Sequence, residues 1–182
     1  MHWSPDDKYI VFSRLRSTPQ GGYDTWLLPR FGERTPTPYL ESPFDRIQAR
    51  VSPDSHYVAY TTNESGTFQI VVQTFPDPNG GKWPISADGG VEPKWKRDGR
   101  ELYYLALDGK LMAVPINGPG FQPGRPSVLF QTPLTVNRSN PLRDRRFDVT
   151  PDGRFLLVAP VAAAAAPPTT VVVNWAAELE KK

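Results

Sequence analysis

The sequence lacks cysteine, holds only two histidines, and contains no long apolar run. Without cysteine, disulfides, thiolate catalysis and cysteine–zinc sites are excluded. No stretch of 18 apolar residues occurs, so no transmembrane helix is predicted. The formal net charge of +2 is too small to indicate nucleic acid or an anionic membrane as a partner.

Residues that break regular structure are abundant, with 21 prolines and 14 glycines among 182 residues. So many breakers exclude a bundle of long helices or a coiled coil, and they favour short strands joined by turns. Hydrophobic residues at 38% and charged residues at 22% are typical of a folded globular chain rather than a disordered one.

One motif recurs four times, in residues 3–12, 51–60, 95–104 and 149–158. Its first polar residue stands at Ser4, Ser52, Lys96 and Thr150, at spacings of 48, 44 and 54 residues. Regular spacing of this kind predicts a chain built from repeated structural units.

Each copy of the motif combines a turn with an apolar run. Ser-Pro-Asp-Gly suits a type I turn, because proline presets φ at the second position and the aspartate side chain can bind turn N–H groups. The repeat-turn residues are Ser4, Pro5, Asp6, Ser52, Pro53, Asp54, Asp98, Gly99, Thr150, Pro151, Asp152 and Gly153. The nearly continuous apolar runs that follow predict strands buried on both faces.

The resulting fold prediction is all-β, a partial β-propeller of about four four-stranded antiparallel blades, because stacked small sheets bury strands on both faces. The blades span about 1–43, 44–90, 91–135 and 136–175, the first and last being incomplete, and 176–182 form a tail. A strand is predicted at 169–175, after a low-complexity alanine segment at 162–166.

The repeats resemble the TolB-like family of bacterial propellers, whose motif is close to W-S-P-D-G-K-x-I-A-F; residues 3–12 match it best. Residues 169–175, TTVVVNW, resemble the end of the propellers found in bacterial transmembrane serine/threonine kinases. The resemblance implies an extracytoplasmic or periplasmic binding or sensing module. Because such propellers close with six or seven blades, it also implies missing upstream blades and a chain that associates when isolated. No kinase motif is present in the sequence.

Candidate reactive residues have simpler structural interpretations. His56 lies just after a turn, where a solvated side chain is expected, and two histidines without cysteine give no metal-ligand spacing. The recurring Asp6, Asp54, Asp98 and Asp152 could form a ring of acids, but binding turn N–H groups explains their periodicity. We interpret the one basic cluster as part of a solvated loop; its members are Arg138, Arg143, Arg145 and Arg146. We interpret five aromatic residues as core between blades; these are Trp26, Trp83, Trp95, Tyr103 and Tyr104.

The sequence therefore predicts a non-catalytic module with no catalytic residue, cofactor or metal, which binds a protein, peptide or cell-wall component through loops on one rim. The loops that deviate most from the repeat are 14–22, 117–125 and 137–144. Two alternatives stay open: the propeller of a prolyl-oligopeptidase-type hydrolase, and a periplasmic scaffold similar to TolB.

Overall fold

The computed structural model describes residues 1–18, 21–118, 120–137 and 146–158. In these residues the only helical element is a 3₁₀ turn at Pro78–Gly80. The first sheet consists of β1 (His2–Trp3), β2 (Tyr9–Leu15), β3 (Tyr23–Pro29) and β4 (Thr37–Leu40), hydrogen-bonded in that order. The second sheet consists of β5 (Arg46–Val51), β6 (Tyr57–Thr62), β7 (Gln69–Thr74) and β8 (Lys82–Pro84), also in sequence order.

The third and fourth sheets continue this antiparallel pattern. The third contains β9 (Val91–Trp95), β10 (Glu101–Leu105), β11 (Lys110–Asn117) and β13 (Ser127–Gln131), with β12 (Gln122–Pro123) paired to the end of β11. The fourth is described as two strands, β14 (Phe147–Val149) and β15 (Phe155–Leu157). The predicted strand at 169–175 and the alanine segment lie outside the described residues.

The repeated motif forms the hairpin between the first and second strands of each sheet. In the second sheet, the Ser55 N–H donates to the Ser52 carbonyl (2.9 Å) and the Ser52 N–H donates to the Tyr57 carbonyl (2.8 Å). Corresponding pairs of bonds occur at the other three copies. The fourth turn residue takes a left-handed φ in every copy, at Asp7, Ser55, Gly99 and Gly153. A type I turn followed by one left-handed residue is a common hairpin connection.

The middle sheets are buried on both faces. In the second sheet, Val58 and Tyr60 pack toward the first sheet, whereas Ala59 and Ile70 pack toward the third. The third sheet likewise splits alternate residues between two cores, with Leu102 facing the second sheet and Leu105 facing the fourth. Alternate side chains of a strand point to opposite faces, so the continuous apolar runs supply both layers of core, as the sequence predicts.

In the described part of the chain, aromatic rings lie in each gap between neighbouring sheets, and one ring in each gap comes from an outermost strand. Tyr39 on β4 contacts Phe75 between the first and second sheets. Trp83 on β8 contacts Phe121 between the second and third, and Phe130 on β13 contacts Phe155 between the third and fourth. Bulky rings at these outer positions suit sheets that diverge away from their first strands.

Stacked antiparallel sheets, in sequence order and almost without helix, define part of a β-propeller, which confirms the predicted fold class. Neighbouring sheets meet near their first strands, since β5 contacts β1, β2 and β3 of the first sheet and β9 contacts β5 and β6 of the second. Trp26 does not pack between two sheets of the described chain; it is half-buried on the outer face of the first sheet under the Arg14 guanidinium. No helix among the described residues is long and apolar enough to cross a membrane.

Candidate functional site: a charged cleft at the first strands

Four repeat-equivalent residues converge on one cleft. Counting back two residues from the first turn residue of each copy gives His2, Arg50, Lys94 and Asp148. They lie on β1, β5, β9 and β14, the first strand of each sheet, and all four line a cavity of about 580 Å³. An adjoining cavity of about 260 Å³ shares Arg50 and Lys94. We call these two cavities together the axial cleft.

The centre of the axial cleft is an ion pair of unequal exposure. Lys94 Nζ lies 3.1 Å from Asp148 Oδ1, and the Lys94 side chain is 12% exposed whereas that of Asp148 is 68% exposed. Burial, together with the charge of Arg50, lowers the pKa of Lys94. Burial by itself raises the pKa of Asp148. The charge and hydrogen bond of Lys94 outweigh burial and hold the pKa of Asp148 below its usual value. Lys94 is therefore a desolvated cation covered by an exposed carboxylate.

His2 contributes a neutral ring to the same cleft. Burial, and then the positive charge of Arg50, lower its pKa from 6.5 to about 4. The Nε2 atom of His2 is buried and has no hydrogen-bond partner among the described residues. At neutral pH the imidazole is therefore uncharged, and one of its polar atoms is not satisfied by the described part of the chain.

Hydrogen bonds hold the strands that carry the cleft. The indole N–H of Trp95 donates to the Arg50 carbonyl (2.9 Å), which ties β9 to β5. Arg50 Nη1 donates to the Ala49 carbonyl (2.9 Å). The first bond links the two strands that carry the cationic side chains, and the second holds the Arg50 side chain against its own strand.

A second set of repeat-equivalent residues joins consecutive sheets; it lies four residues before the turn. The N–H of Glu92 donates to Gln48 Oε1 (2.9 Å), and the N–H of Arg146 donates to Glu92 Oε2 (2.9 Å). Arg146 and Glu92 also form a buried ion pair at 3.5 Å. The side chains of Gln48 and Glu92 thus each accept a hydrogen bond from the backbone N–H of the equivalent residue one sheet further on. We call Gln48, Glu92 and Arg146 the inter-sheet relay.

The relay depends on an unusual backbone. Gln48 and Glu92 have φ values of 56° and 57°, in the left-handed region that residues other than glycine seldom adopt. The pairing register shifts between Ile47 and Arg50, and between Tyr103 and Leu105 where β10 faces β9. These bulges re-aim the side chains, and the same conformation in two successive sheets marks it as part of the repeat.

The predicted turn residues lie in the hairpins rather than forming an acidic ring. The hydroxyls of Ser4, Ser52 and Thr150 donate to Asp6, Asp54 and Asp152. Backbone N–H groups two residues on donate to Asp6, Asp54 and Asp98 at 3.0–3.2 Å. Gly99 and Gly153 supply left-handed turn positions, and Pro5 and Pro53, but not Pro151, line the axial cleft.

The other candidate residues separate from the cleft. His56 is exposed, with Nδ1 3.4 Å from Asp54 Oδ2. The described residues contain no group of three or more His, Asp or Glu that could hold a metal ion. Arg138, Arg143 and Arg145 lie outside the described residues. Arg146 is buried in the relay, so its assignment to a solvated loop was wrong. It is buried because the carboxylate of Glu92, on the preceding sheet, pairs with it.

The loops expected on the rim are partly structural. In loop 14–22, Arg16 lies within 4 Å of the carboxylates of Asp24 and Asp45. In loop 117–125, Phe121 is buried against Tyr57 and Trp83. Loop 137–144 lies almost wholly outside the described residues.

Sequence reasoning missed Arg50, Lys94 and Asp148. The signal that could have found them was present in the repeat alignment. The residue two positions before the turn is ionisable in all four copies. In each copy an apolar residue follows it, namely Trp3, Val51, Trp95 or Val149. Rotational repetition brings such equivalent positions to one axis.

Comparison with known proteins supports the fold. No family model and no curated protein matches the sequence. Among solved structures, a protein assigned as TolB from Agrobacterium tumefaciens matches with a TM-score of 0.56 and 18% identity over 71% of this chain and 47% of that chain. TolB from Acinetobacter baumannii matches with a TM-score of 0.54 and 17% identity over 85% of this chain and 41% of that chain.

A structure described as a 6-phosphogluconolactonase from Bacteroides uniformis matches similarly, with a TM-score of 0.54 and 17% identity over 86% of this chain and 46% of that chain. At these identities the likeness concerns the fold alone. The chain spans less than half the length of each of these three structures.

Proposed function

We propose that this chain is part of a non-catalytic binding module, and that its protein or peptide ligand binds in the axial cleft. The observation that carries the proposal is the convergence of His2, Arg50, Lys94 and Asp148 on one cavity. Withdrawing a lysine from water costs free energy, which apolar packing at the same position would avoid. A binding role accounts for a costly charged residue in a cleft that remains open to solvent.

The chemistry of the cleft favours binding over catalysis. Hydrolysis requires an activated nucleophile with a base, or a metal-bound water. The chain has no cysteine, and the His2 pKa of about 4 is far from the near-neutral value that suits a general base at pH 7. His56 is exposed beside Asp54 and does not line the two axial cavities.

The setting of the module follows from the sequence resemblance. We place it on the extracytoplasmic side of a larger bacterial protein, as the sensor part of a membrane serine/threonine kinase, because residues 169–175 resemble the end of such propellers. Upstream blades of the same protein are its expected intramolecular partner. A periplasmic scaffold and a hydrolase-associated propeller remain the alternatives, and the coding sequence upstream of Met1 separates the three.

Selection from a random peptide display library tests the binding proposal. Peptides enriched on the chain are measured against a double variant, Arg50→Ser with Lys94→Ser, and against a control that removes two exposed lysines, Lys82→Ser with Lys110→Ser. We expect the control to retain binding and the cleft variant to lose it. Peptides that bind both variants equally would place recognition elsewhere, with the rim loops as the next surface to test.

A further inference from the structure

The axial cleft carries an excess of positive charge. Arg50, Lys94 and Arg97 line the larger cavity, where Asp148 is the lone carboxylate among its described lining residues. Glu92 borders the smaller cavity, but its carboxylate already serves the relay through Arg146. His2 adds no charge at neutral pH. Two formal positive charges therefore remain after the Lys94–Asp148 pair is counted.

The cations are held close enough to repel each other. Arg50 is the second cause of the lowered pKa of Lys94, after burial. A positively charged site of this kind becomes more stable when an anion enters it, since opposite charge within a few ångströms favours the charged form of a buried lysine. Arginine adds paired donors that match the oxygens of a carboxylate or a phosphate.

The carboxylate of Asp148 occupies the position beside Lys94 that an anion of the ligand would take, and it can leave that position. It bonds Lys94 at 3.1 Å while remaining 68% exposed. The Asp148 side chain already faces solvent, so turning it outward costs it little; the cost falls on buried Lys94, which loses its partner. Lys94, at 12% exposure, then needs a replacement partner.

Building on the proposed function, we infer that the axial cleft binds an anionic group of its ligand, a carboxylate or a phosphate, between Arg50 and Lys94 in exchange for Asp148. The larger cavity of about 580 Å³ falls within the volume range of small-ligand sites. Arg97, an exposed lining residue of this cavity, supplies additional attraction for the incoming anion.

Titration of the purified chain with inorganic phosphate and, separately, with acetate tests the inference, at constant ionic strength in sodium chloride. Trp95 reports binding, because its indole N–H bonds the Arg50 carbonyl, and the Trp95→Phe variant identifies its share of the fluorescence. We expect saturable binding of at least one of the two anions. A response to phosphate indicates a phosphate ligand, and a response to acetate indicates a carboxylate ligand.

Two substitutions must act in opposite directions. Asp148→Asn removes the internal competitor and should tighten anion binding about fivefold or more, whereas Arg50→Gln should weaken it about tenfold. Asp108→Asn is the matched control, since Asp108 is also an exposed carboxylate paired with a lysine, Lys110, at 2.7 Å. Because Asp148 is exposed, its variant remains informative if the Arg50 variant fails to fold.

The outcomes separate this inference from the proposed function. If neither anion binds the wild type, or if Asp148→Asn behaves as Asp108→Asn does, the anion site is wrong. Peptides that still require Arg50 and Lys94 would in that case leave the proposed function standing. Loss of both the anion response and the cleft-dependent peptides would overturn the two together.

Discussion

The second sheet and the first sheet have the same four-stranded design but different surroundings. The second is enclosed by neighbours, so Tyr60 on one face and Ile70 on the other are fully buried. The first packs Val11 and Leu27 against its neighbour, while Ile10 and Phe12 on its other face are half-buried and Trp3 is 48% exposed. The comparison teaches that burial on both faces comes from stacking and not from the strand sequence alone.

The largest expected difference between the two sheets is in self-association. The outer face of the first sheet presents Trp3, Ile10, Phe12 and Trp26, and exposed apolar patches of this kind drive association. We expect the isolated 182-residue chain to oligomerise in sedimentation velocity, and Ile10→Glu to shift it toward monomer. Ser65→Glu, in the exposed turn that follows β6, adds the same charge without removing an apolar side chain and is the control that should not. A stable monomer of the unmodified chain would contradict this prediction.

Core truncation should distinguish the sheets next. Ile70→Ala is expected to lower the free energy of unfolding by about 4 kcal/mol, because it leaves a cavity between two packed sheets. The same change at half-buried Ile10 should cost about 1 kcal/mol. Urea denaturation of both variants measures the difference. Equal losses would show that the two sheets are equally enclosed in solution.

The relay predicts a strong coupling among the second, third and fourth sheets. Glu92→Ala leaves Arg146 buried without its carboxylate and should cost about 3 kcal/mol. Glu92→Gln should cost about half as much, because Gln48 already performs the same acceptor role with an amide oxygen. Chemical denaturation compares the two variants. If Glu92→Gln is as damaging as Glu92→Ala, accepting the Arg146 N–H is not the important contribution.

The buried histidine gives a pH dependence specific to the first strand. The pKa of His2 is lowered to about 4 in the folded chain, so the unfolded chain binds the extra proton first as the pH falls below 6.5. Stability is thus full above pH 6.5 and is lost as the pH falls toward 4, by about 2 kcal/mol between pH 7 and pH 5. The loss should shrink in His2→Gln and persist in His56→Gln; an unchanged profile in His2→Gln would be inconsistent with this assignment.

The smallest effect concerns the repeated turn. Gly99 has a φ of 72°, so Gly99→Ala should cost about 1 kcal/mol through backbone strain. At the equivalent position of the second sheet, Ser55 already has a φ of 59°, and Ser55→Gly should change stability by less than about 0.5 kcal/mol. Thermal unfolding of the two variants compares them. Equal destabilisation would mean that the turns are not conformationally equivalent.

Much of the fold could be predicted because the repeat encodes local and global structure together. The run from Tyr57 to Thr62 gives a strand, its burial on both faces and the preceding hairpin in one pattern. The apolar runs of the second and third copies form β6 (Tyr57–Thr62) and β10 (Glu101–Leu105), as the repeat predicts. The first sheet shows where this logic stops, since pattern alone assigns Trp26 to a core that the described chain does not enclose.

The axial cleft could not be assembled from the same reasoning without the stacking geometry. Arg50 and Asp148 are far apart in sequence and belong to no motif that carries chemistry by spacing. A cluster of charged residues is usually solvated, and Arg146 was assigned to a solvated loop because it belongs to such a cluster. Its burial beside Glu92 depends on two left-handed residues in first strands, and no local propensity predicts those.

Distances between paired spin labels test the central claim, that equivalent residues converge at the first strands while the sheets diverge outward. The cysteine-free chain permits clean labelling of Arg50→Cys with Lys94→Cys, and separately of Pro84→Cys with Val128→Cys, an equivalent pair on the outermost strands β8 and β13. Pulsed electron paramagnetic resonance should give a clearly shorter distance for the inner pair than for the outer pair. Equal distances, or a longer inner one, would contradict the propeller arrangement and the axial cleft with it.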